Sequence, residues 1–250
     1  MEQQNRQCVN LSSTGRMRVG ALLLLAAFLS LAVAQAKAPQ GATQNDLESV
    51  LAQMNQASAT FKSAQTDFEW EQYTKVVDVK DVQKGRLYLR RTSKGVDIGI
   101  KIVSPALKEI VVDAKEGLGR MYEPGINQIT EYNIGKDKAD LEAIMSLGFG
   151  GRGGDLRKSY DVKLSGWEMV EGKNTARLEL TPTTPKLQHS LSKIVLWIDP
   201  ARDVALRQQF FEGVSGDYRL VHNSNIVVNG KMPDDAFHLK TSGHPKVLRP

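Results

Sequence analysis

Two neighbouring stretches decide the fold of this 250-residue chain: Arg86-Leu-Tyr-Leu-Arg-Arg91 and Val96-Asp-Ile-Gly-Ile-Lys-Ile102. In each stretch, aliphatic residues recur at every second position. Successive side chains of a β-strand point to opposite faces of a sheet, so this period of two predicts strands with one buried and one wet face. Short strands that follow each other this closely are typical of an antiparallel meander.

The same alternation continues in both directions along the chain. Ala64, Thr66, Phe68 and Trp70 alternate with polar residues upstream. Glycine, proline, asparagine and aspartate mark the turns, and Lys84-Gly85 is interpreted as one of them. The pattern predicts a mainly β fold with helices, built on one twisted antiparallel sheet of about ten strands. Further strands are predicted over residues 107–113, 119–122, 128–132, 160–164, 167–171, 175–181, 193–199, 204–212, 218–222 and 226–228.

One face of such a sheet is expected to be apolar and, where the sheet curves, to line a cavity. The residues predicted to line it share the parity of the aliphatic positions in their strands. They are Phe68, Trp70, Leu87, Leu89, Ile98, Ile100, Ile102, Leu178 and Leu180.

Two helices interrupt the strand pattern. Apolar residues from Leu47 to Met54 recur at helical spacing and predict a helix over residues 44–58. A second helix is predicted over residues 137–147, followed by a flexible glycine cluster at 148–154. This second helix either caps the sheet as part of the core or is a mobile lid over a cavity. The residues assigned to the lid are Leu141, Ile144, Met145, Leu147 and Phe149.

The N-terminus predicts export from the cytoplasm. Arg16 and Arg18 precede the apolar run Ala21–Ala34, and alanines at alternate positions close the run. A positive segment, a short apolar segment and an A-x-A site together are typical of a secretory signal peptide. We therefore expect residues 1–36 to be removed, with translation starting at Met1 or Met17, and residues 37–250 to form one periplasmic domain.

Composition excludes several function classes. The formal net charge of +5 falls to about +3 when the signal peptide is removed, and lysine and arginine are scattered, so no nucleic-acid partner is expected. Cys8 is the one cysteine and leaves with the signal peptide, which removes thiolate chemistry. The four histidines lack the spacing of metal ligands. We expect no metal, no cofactor and no enzymatic activity.

One charged residue breaks the apolar pattern of its strand face. Arg91 has the same parity as Leu87 and Leu89. Either the strand ends there and the side chain reaches water, or the guanidinium faces an enclosed space and needs acceptors. Carbonyl groups at the end of a helix across the opening are suitable acceptors.

The chain resembles the periplasmic lipoprotein carrier family, LolA. The resemblance rests on Phe61-Lys-Ser-Ala64, on Gly85-Arg-Leu-Tyr-Leu-Arg-Arg91 and on Leu178-Glu-Leu-Thr-Pro182. The segment from Ile110-Val-Val-Asp113 through Met121-Tyr-Glu-Pro124 also matches in order and spacing. The chain departs from the family pattern at Thr92, Ala114 and Met121, where the family has proline, glycine and tryptophan.

The resemblance implies an open, incomplete β-barrel closed by helices, with Arg91 as the latch of the lid. It implies a monomeric carrier that shuttles acylated lipoproteins from an inner-membrane ABC-type release complex to an outer-membrane acceptor. Two alternatives stay open: a periplasmic sensor of lipid or lipoprotein, and a carrier of another amphiphile such as a glycolipid.

Overall fold

A single open sheet organises the described part of the molecule. The computed structural model describes residues 44–135, 138–145, 147–213 and 215–249, so the predicted signal peptide lies outside the described residues. The described residues contribute twelve strands, whose order across the sheet is β12-β6-β5-β4-β3-β2-β1-β11-β10-β9-β8-β7. The strands β12 and β7 form the two edges and do not pair with each other, so the sheet stays open. This confirms the predicted fold class.

The strands follow each other in chain order with few interruptions. Their bounds are β1 Ser63–Thr74, β2 Val79–Thr92, β3 Gly95–Ser104, β4 Lys108–Asp113, β5 Leu118–Glu123, β6 Gln128–Asn133, β7 Tyr160–Val170, β8 Lys173–Pro182, β9 Leu191–Asp199, β10 Val204–Glu212, β11 Tyr218–Val228 and β12 Lys246–Leu248. Neighbouring strands are antiparallel, except that β12 runs parallel to β6. β1 pairs with β11, which brings the two halves of the sheet together.

Four helices accompany the sheet in the described ranges: α1 Gln44–Thr60, α2 Lys138–Met145, α3 Gly153–Leu156 and α4 Pro185–Ser190. The first helix is confirmed and runs two residues beyond the predicted end. Its apolar side, with Val50 and Met54 at its centre, packs against strands β7 to β10 to form the largest core cluster. We call the sheet face that carries α1 the inner face and the opposite one the outer face.

Three sequence interpretations of the strand boundaries are wrong. Lys84-Gly85 is not a turn, because β2 continues through it and the chain reverses at residues 75–78 instead. Gly85 lies opposite Phe68, and a Cβ there would lie 2.2 Å from the Lys101 carbonyl oxygen. Close packing, not a turn, requires this glycine. Likewise, Gly166 lies at a bulge within β7, so the segments predicted at 160–164 and 167–171 belong to one strand. Asn225, which has a positive φ, lies within β11, so the segments predicted at 218–222 and 226–228 also belong to one strand.

The C-terminal residues form an element that the strand pattern does not predict. Residues 246–248 form β12 at the edge of the sheet, where the Lys246 N–H donates to the Asn127 carbonyl over 2.9 Å. This strand was not predicted, because three residues are too few to show an alternation in the sequence.

Candidate functional site: the apolar inner face and Arg91

Cross-strand pairing places the predicted cavity residues on one face. Leu89 lies opposite Ala64 and Ile98, and Leu87 lies opposite Ile100. Directly paired residues of neighbouring strands point to the same side of a sheet. The same pairing carries this face from Trp70 through β11, β10 and β9 to Leu178. All nine predicted residues therefore lie on the inner face.

Burial divides this set into two groups. Leu178 and Leu180 are fully buried in the cluster beneath α1, so helix side chains already cover them. Leu89 and Ile98 are also buried, in a second cluster around Phe61 and Phe149. Phe68 and Ile102 are also buried, with 9% and 8% of their surface exposed. The remaining three of the nine are half-buried. These are Trp70, Leu87 and Ile100.

The half-buried surface continues onto strands that the predicted set did not include. Ile110 lies opposite Ile100, and Met121 lies opposite Ile110, both on the inner face and both half-buried. We call the surface formed by Trp70, Leu87, Ile100, Ile110 and Met121 the apolar trough. The parity of Ile110 was visible in the sequence, but Met121 lies in a strand without a clear alternation.

The predicted lid residues fall into two structural groups. Leu141, Ile144 and Met145 are half-buried on α2, and Met145 packs against the cluster that contains Leu89. Leu147 and Phe149 follow the helix and are buried, the first under α1 and the second in the second cluster. Residues 136, 137 and 146 lie outside the described residues, and the last two of them belong to the helix predicted over 137–147.

Residues 147–150, which we call the anchor segment, are firmly bonded to the sheet. The Ala205 N–H donates to the Gly148 carbonyl over 2.7 Å, and the Gly150 N–H donates to the Asp203 carbonyl over 3.1 Å. The Gln208 side chain donates to the Leu147 carbonyl. These bonds attach residues 147–150 to the sheet, and the flexibility expected of the glycine cluster at 148–154 stays a prediction. Gly148 and Gly150 permit close packing, as a Cβ at Gly150 would lie 2.3 Å from the Phe61 ring.

Arg91 bonds carbonyl groups from two separate segments. Its Nη1 donates to the Ser58 carbonyl over 2.9 Å and to the Phe61 carbonyl over 3.2 Å, and its Nη2 donates to the Gly150 carbonyl over 2.5 Å. The first two carbonyls stand at the C-terminal end of α1, where helices leave carbonyls without intrahelical partners. Arg91 lies within β2 and is an exposed residue overall, yet its guanidinium joins β2 to α1 and to the anchor segment.

Asp203 is a buried acid that the sequence analysis did not single out. It stands in the turn between β9 and β10 and is 0% exposed, and neither carboxyl oxygen has a hydrogen-bond partner among the described residues. Burial raises its pKa to about 8, while the charge of Arg91 acts in the opposite direction. A turn aspartate after a proline is common in sequences, so only the tertiary packing reveals it.

A groove of about 570 Å³ lies on the outer face. Its lining is more apolar than polar, and three ion pairs lie along it, Arg86 with Asp67, Lys84 with Glu69 and Lys101 with Asp235, each at 2.6 Å. An acyl chain in this groove would cover these ion pairs, whereas the residues of the apolar trough carry no charge. Other residues that line the groove are Phe68, Gly85, Tyr88, Val103, Glu171, His222 and Ser224.

Within the described ranges, no cluster of three or more histidine, cysteine, aspartate or glutamate side chains is placed to hold a metal ion. Among the same residues, no helix has the length and apolar character needed to cross a membrane.

Comparison with solved structures identifies the fold. The lipoprotein LppX of Mycobacterium tuberculosis is similar over 76% of this chain and 99% of its own, at 10% identity and a TM-score of 0.50. An uncharacterised conserved protein of Thermus thermophilus is similar over 81% of this chain and 98% of its own, at 11% identity and a TM-score of 0.52.

This chain shares the fold of LppX. MucB of Pseudomonas aeruginosa, in its complex with MucA, is also similar, at 18% identity and a TM-score of 0.47. The match covers 78% of this chain, and this chain spans only 61% of the length of the solved chain. No family model matches the sequence, and no curated protein matches it.

Proposed function

We propose that this protein is a periplasmic carrier that binds the acyl chains of lipoproteins in the apolar trough. The observation that carries the proposal is the trough itself, which has half-buried apolar side chains from five strands on the helix-bearing face. Leu87, Ile100, Ile110 and Met121 form a row of direct cross-strand pairs in it. Large apolar surfaces of this kind mark binding sites for apolar ligands. The apolar character of the site supports a binding role.

The energetics of lipid transfer suit such a surface. A triacylated anchor exposes roughly 45 methylene groups, and each contributes about 0.8 kcal/mol when it leaves water. Crossing an aqueous compartment unaided is therefore prohibitive, whereas transfer from a bilayer to an apolar trough is nearly neutral. A carrier needs only an apolar site and a cover that opens at the donor and acceptor. By resemblance, these would be an inner-membrane ABC-type complex and an outer-membrane acceptor.

The cover in this proposal is α2, held through the anchor segment. Met145 packs on the cluster that contains Leu89, and the trough residue Leu87 packs on the same cluster. The Arg91 guanidinium bonds the anchor segment and the end of α1 at once, so breaking these bonds would release both from β2. In this proposal Arg91 is the latch of the closed state.

Native mass spectrometry of protein purified from the periplasm tests the proposal, with extraction and identification of bound lipid. The wild type is expected to carry acylated species. Ile100→Asp, which places a charge in the trough, is expected to lose them because burying an unpaired carboxylate against acyl chains is unfavourable. A triacylated species identifies lipoprotein cargo, whereas a glycolipid would overturn that choice of cargo.

Ile126→Asp is the matched control. Ile126 is 65% exposed in the turn between β5 and β6, so the same substitution there avoids the trough. It is expected to retain the bound lipid. Equal lipid content in wild type, Ile100→Asp and Ile126→Asp would contradict a carrier site in the trough, as would a lipid-free wild type that binds no apolar probe.

A further inference from the structure

The starting observation is a buried acid beside an arginine whose donors are engaged elsewhere. Asp203 is 0% exposed, and both of its carboxyl oxygens are without a partner in the described part of the chain. Buried polar groups are normally hydrogen-bonded, and a buried carboxyl without partners destabilises the state that holds it. The guanidinium of Arg91 is the charge that acts on Asp203, yet its three side-chain hydrogen bonds go to carbonyl groups.

Gly150 connects the two residues. Its carbonyl accepts from Arg91 Nη2 over 2.5 Å, and its N–H donates to the Asp203 backbone carbonyl over 3.1 Å. The same Gly150 carbonyl also accepts from the Ser58 hydroxyl over 2.7 Å. Movement of Gly150 away from the sheet would therefore free Arg91 donors and uncover Asp203 in one step.

We propose that Asp203 is a positioning residue that receives the Arg91 guanidinium when the anchor segment and α2 open. In the closed state, Arg91 bonds the carbonyls of Ser58, Phe61 and Gly150, and Asp203 stays uncharged and unpaired. In the open state, Asp203 ionises and forms an ion pair with Arg91. The proposal deepens the proposed function, since it rests on α2 being a cover, and it gives the cover two defined states.

The other charged groups that the structure describes around Asp203 do not offer it a partner. Arg202, next to it in the turn, bonds Asp199 with its Nε over 2.7 Å. The anchor segment opposite has no titratable side chain, and the end of α1 places Ser58 and Phe61 there. On β11, the buried Asn223 lies beside β10, and its amide donates to the Ala205 carbonyl. Arg91 is therefore the cation with which an ionised Asp203 can pair.

The consequence is a cover whose opening depends on pH. The closed state retains a proton on Asp203 that the open state releases, so a higher pH favours opening. One released proton changes the ratio of open to closed molecules by up to about tenfold per pH unit between about pH 6 and pH 8. Above that range the ratio levels off.

The test follows α2 directly and uses no lipid. Cys8 is replaced by serine and Met145 by cysteine, which is labelled with acrylodan, a fluorophore whose emission reports how apolar its surroundings are. Raising the pH from 6 to 8.5 is expected to shift the emission of the Met145→Cys label to the red. Asp203→Asn is expected to abolish this pH dependence, because it removes the proton that opening releases. Arg91→Leu is expected to show the red-shifted emission already at pH 6, because the closed state has lost its bonds to Ser58, Phe61 and Gly150.

Asp161→Asn is the control, since Asp161 is exposed on β7 and its variant should retain the full shift. Near-ultraviolet circular dichroism at pH 6 shows whether each variant is folded. A wild-type label that does not shift overturns the proposal without any variant, and so does a shift that survives in a folded Asp203→Asn protein. If the label shifts as expected while no lipid is ever found on the protein, the latch holds and the carrier function fails.

Discussion

At the scale of single residues, several glycines serve close packing where the sequence indicates flexibility. Gly150 has a φ of +72°, and a Cβ there would lie 2.3 Å from the Phe61 ring. Gly172, in the turn between β7 and β8, has the same φ but nothing within 4 Å of its Cβ position. The two positions therefore separate the backbone cost of an alanine from its steric cost.

Gly150→Ala is expected to destabilise the protein by about 3 kcal/mol, and Gly172→Ala by about 1 kcal/mol. Both variants place a side chain in a left-handed conformation, but only the first forces apart the anchor segment and Phe61. Urea unfolding followed by circular dichroism measures the difference. Equal destabilisation would mean that the anchor segment yields without cost.

Arg91 and Arg90 are neighbours in β2, and their side chains lie on opposite faces of the sheet. Arg90 bonds Asp97 and stacks on the Phe237 ring at 4.2 Å, whereas Arg91 bonds carbonyls on the inner side. An arginine presents several donors in a rigid fork, which suits the bridging of separate carbonyl groups. A leucine of similar volume removes these bonds and leaves the strand in place.

Arg91→Leu is expected to load cargo normally and to hand it on more slowly. Without the bonds to Ser58 and Gly150, closing no longer helps to expel the bound chains. Transfer of a fluorescent acylated peptide from the protein to vesicles of phosphatidylethanolamine and phosphatidylglycerol measures the effect, expected to be about tenfold in rate for a loss of about 1.4 kcal/mol. Arg90→Leu should transfer at the wild-type rate, and a normal rate in Arg91→Leu would exclude a latch.

At the scale of elements, residues 229–245, between β11 and β12, form a strap across the outer face. Asp235 pairs with Lys101 at 2.6 Å, and the Lys240 N–H donates to Glu109 over 2.6 Å. Hydrogen bonds from the Lys101 and Lys240 ammonium groups hold the pKa of Asp235 well below its usual range. The strap then ends in β12, which covers the edge of β6 that would otherwise be open to other strands.

Gly99 is the point where the strap comes closest to the sheet. A Cβ at Gly99 would lie 1.9 Å from the Ala236 carbonyl oxygen. Gly99→Ala is therefore expected to displace the strap and to speed cleavage by trypsin after Lys231 and Lys240. Gly119→Ala on β5 is the control, because its Cβ would find ordinary contacts of 3.6 Å or more. Mass spectrometry of the early fragments measures the effect, and equal cleavage in both variants would contradict it.

At the scale of the whole molecule, Asp203 makes stability depend on pH. Its pKa is raised to about 8 in the folded protein, whereas an aspartate in an unfolded chain has a pKa near 3.9. The folded state therefore binds a proton that the unfolded state has released. The stability from this group is fully present below about pH 4 and is lost as the pH rises towards 8.

Asp203→Asn is expected to be more stable than the wild type at pH 8.5 and similar to it at pH 4, where the aspartate is protonated in the folded protein and half protonated in the unfolded chain. One pKa unit corresponds to about 1.4 kcal/mol, so the gain in the free energy of unfolding at pH 8.5 should exceed about 1 kcal/mol. Urea unfolding at the two pH values measures it. A gain that is the same at both would show that the asparagine helps through the left-handed turn alone, where Asp203 has a φ of +53°.

The strand pattern and the faces of the strands could be predicted from local spacing. Leu87, Leu89, Ile98 and Ile100 share the inner face as predicted, and α1 forms where its apolar spacing indicates. Successive side chains of a strand point to opposite faces, so the face of each residue can be predicted from its immediate neighbours in the sequence. The same parity places Arg91 on the inner side.

Which residues are covered was decided only by the tertiary structure. Leu178 and Leu87 look alike in their strands, but α1 covers the first and leaves the second half-buried. Coverage depends on a segment far away in the sequence, and so do the partners of Arg91 and the burial of Asp203. Thus the sequence by itself determined a one-sided apolar sheet with helices. The packing of distant segments on that sheet decided where its core ends and its trough begins.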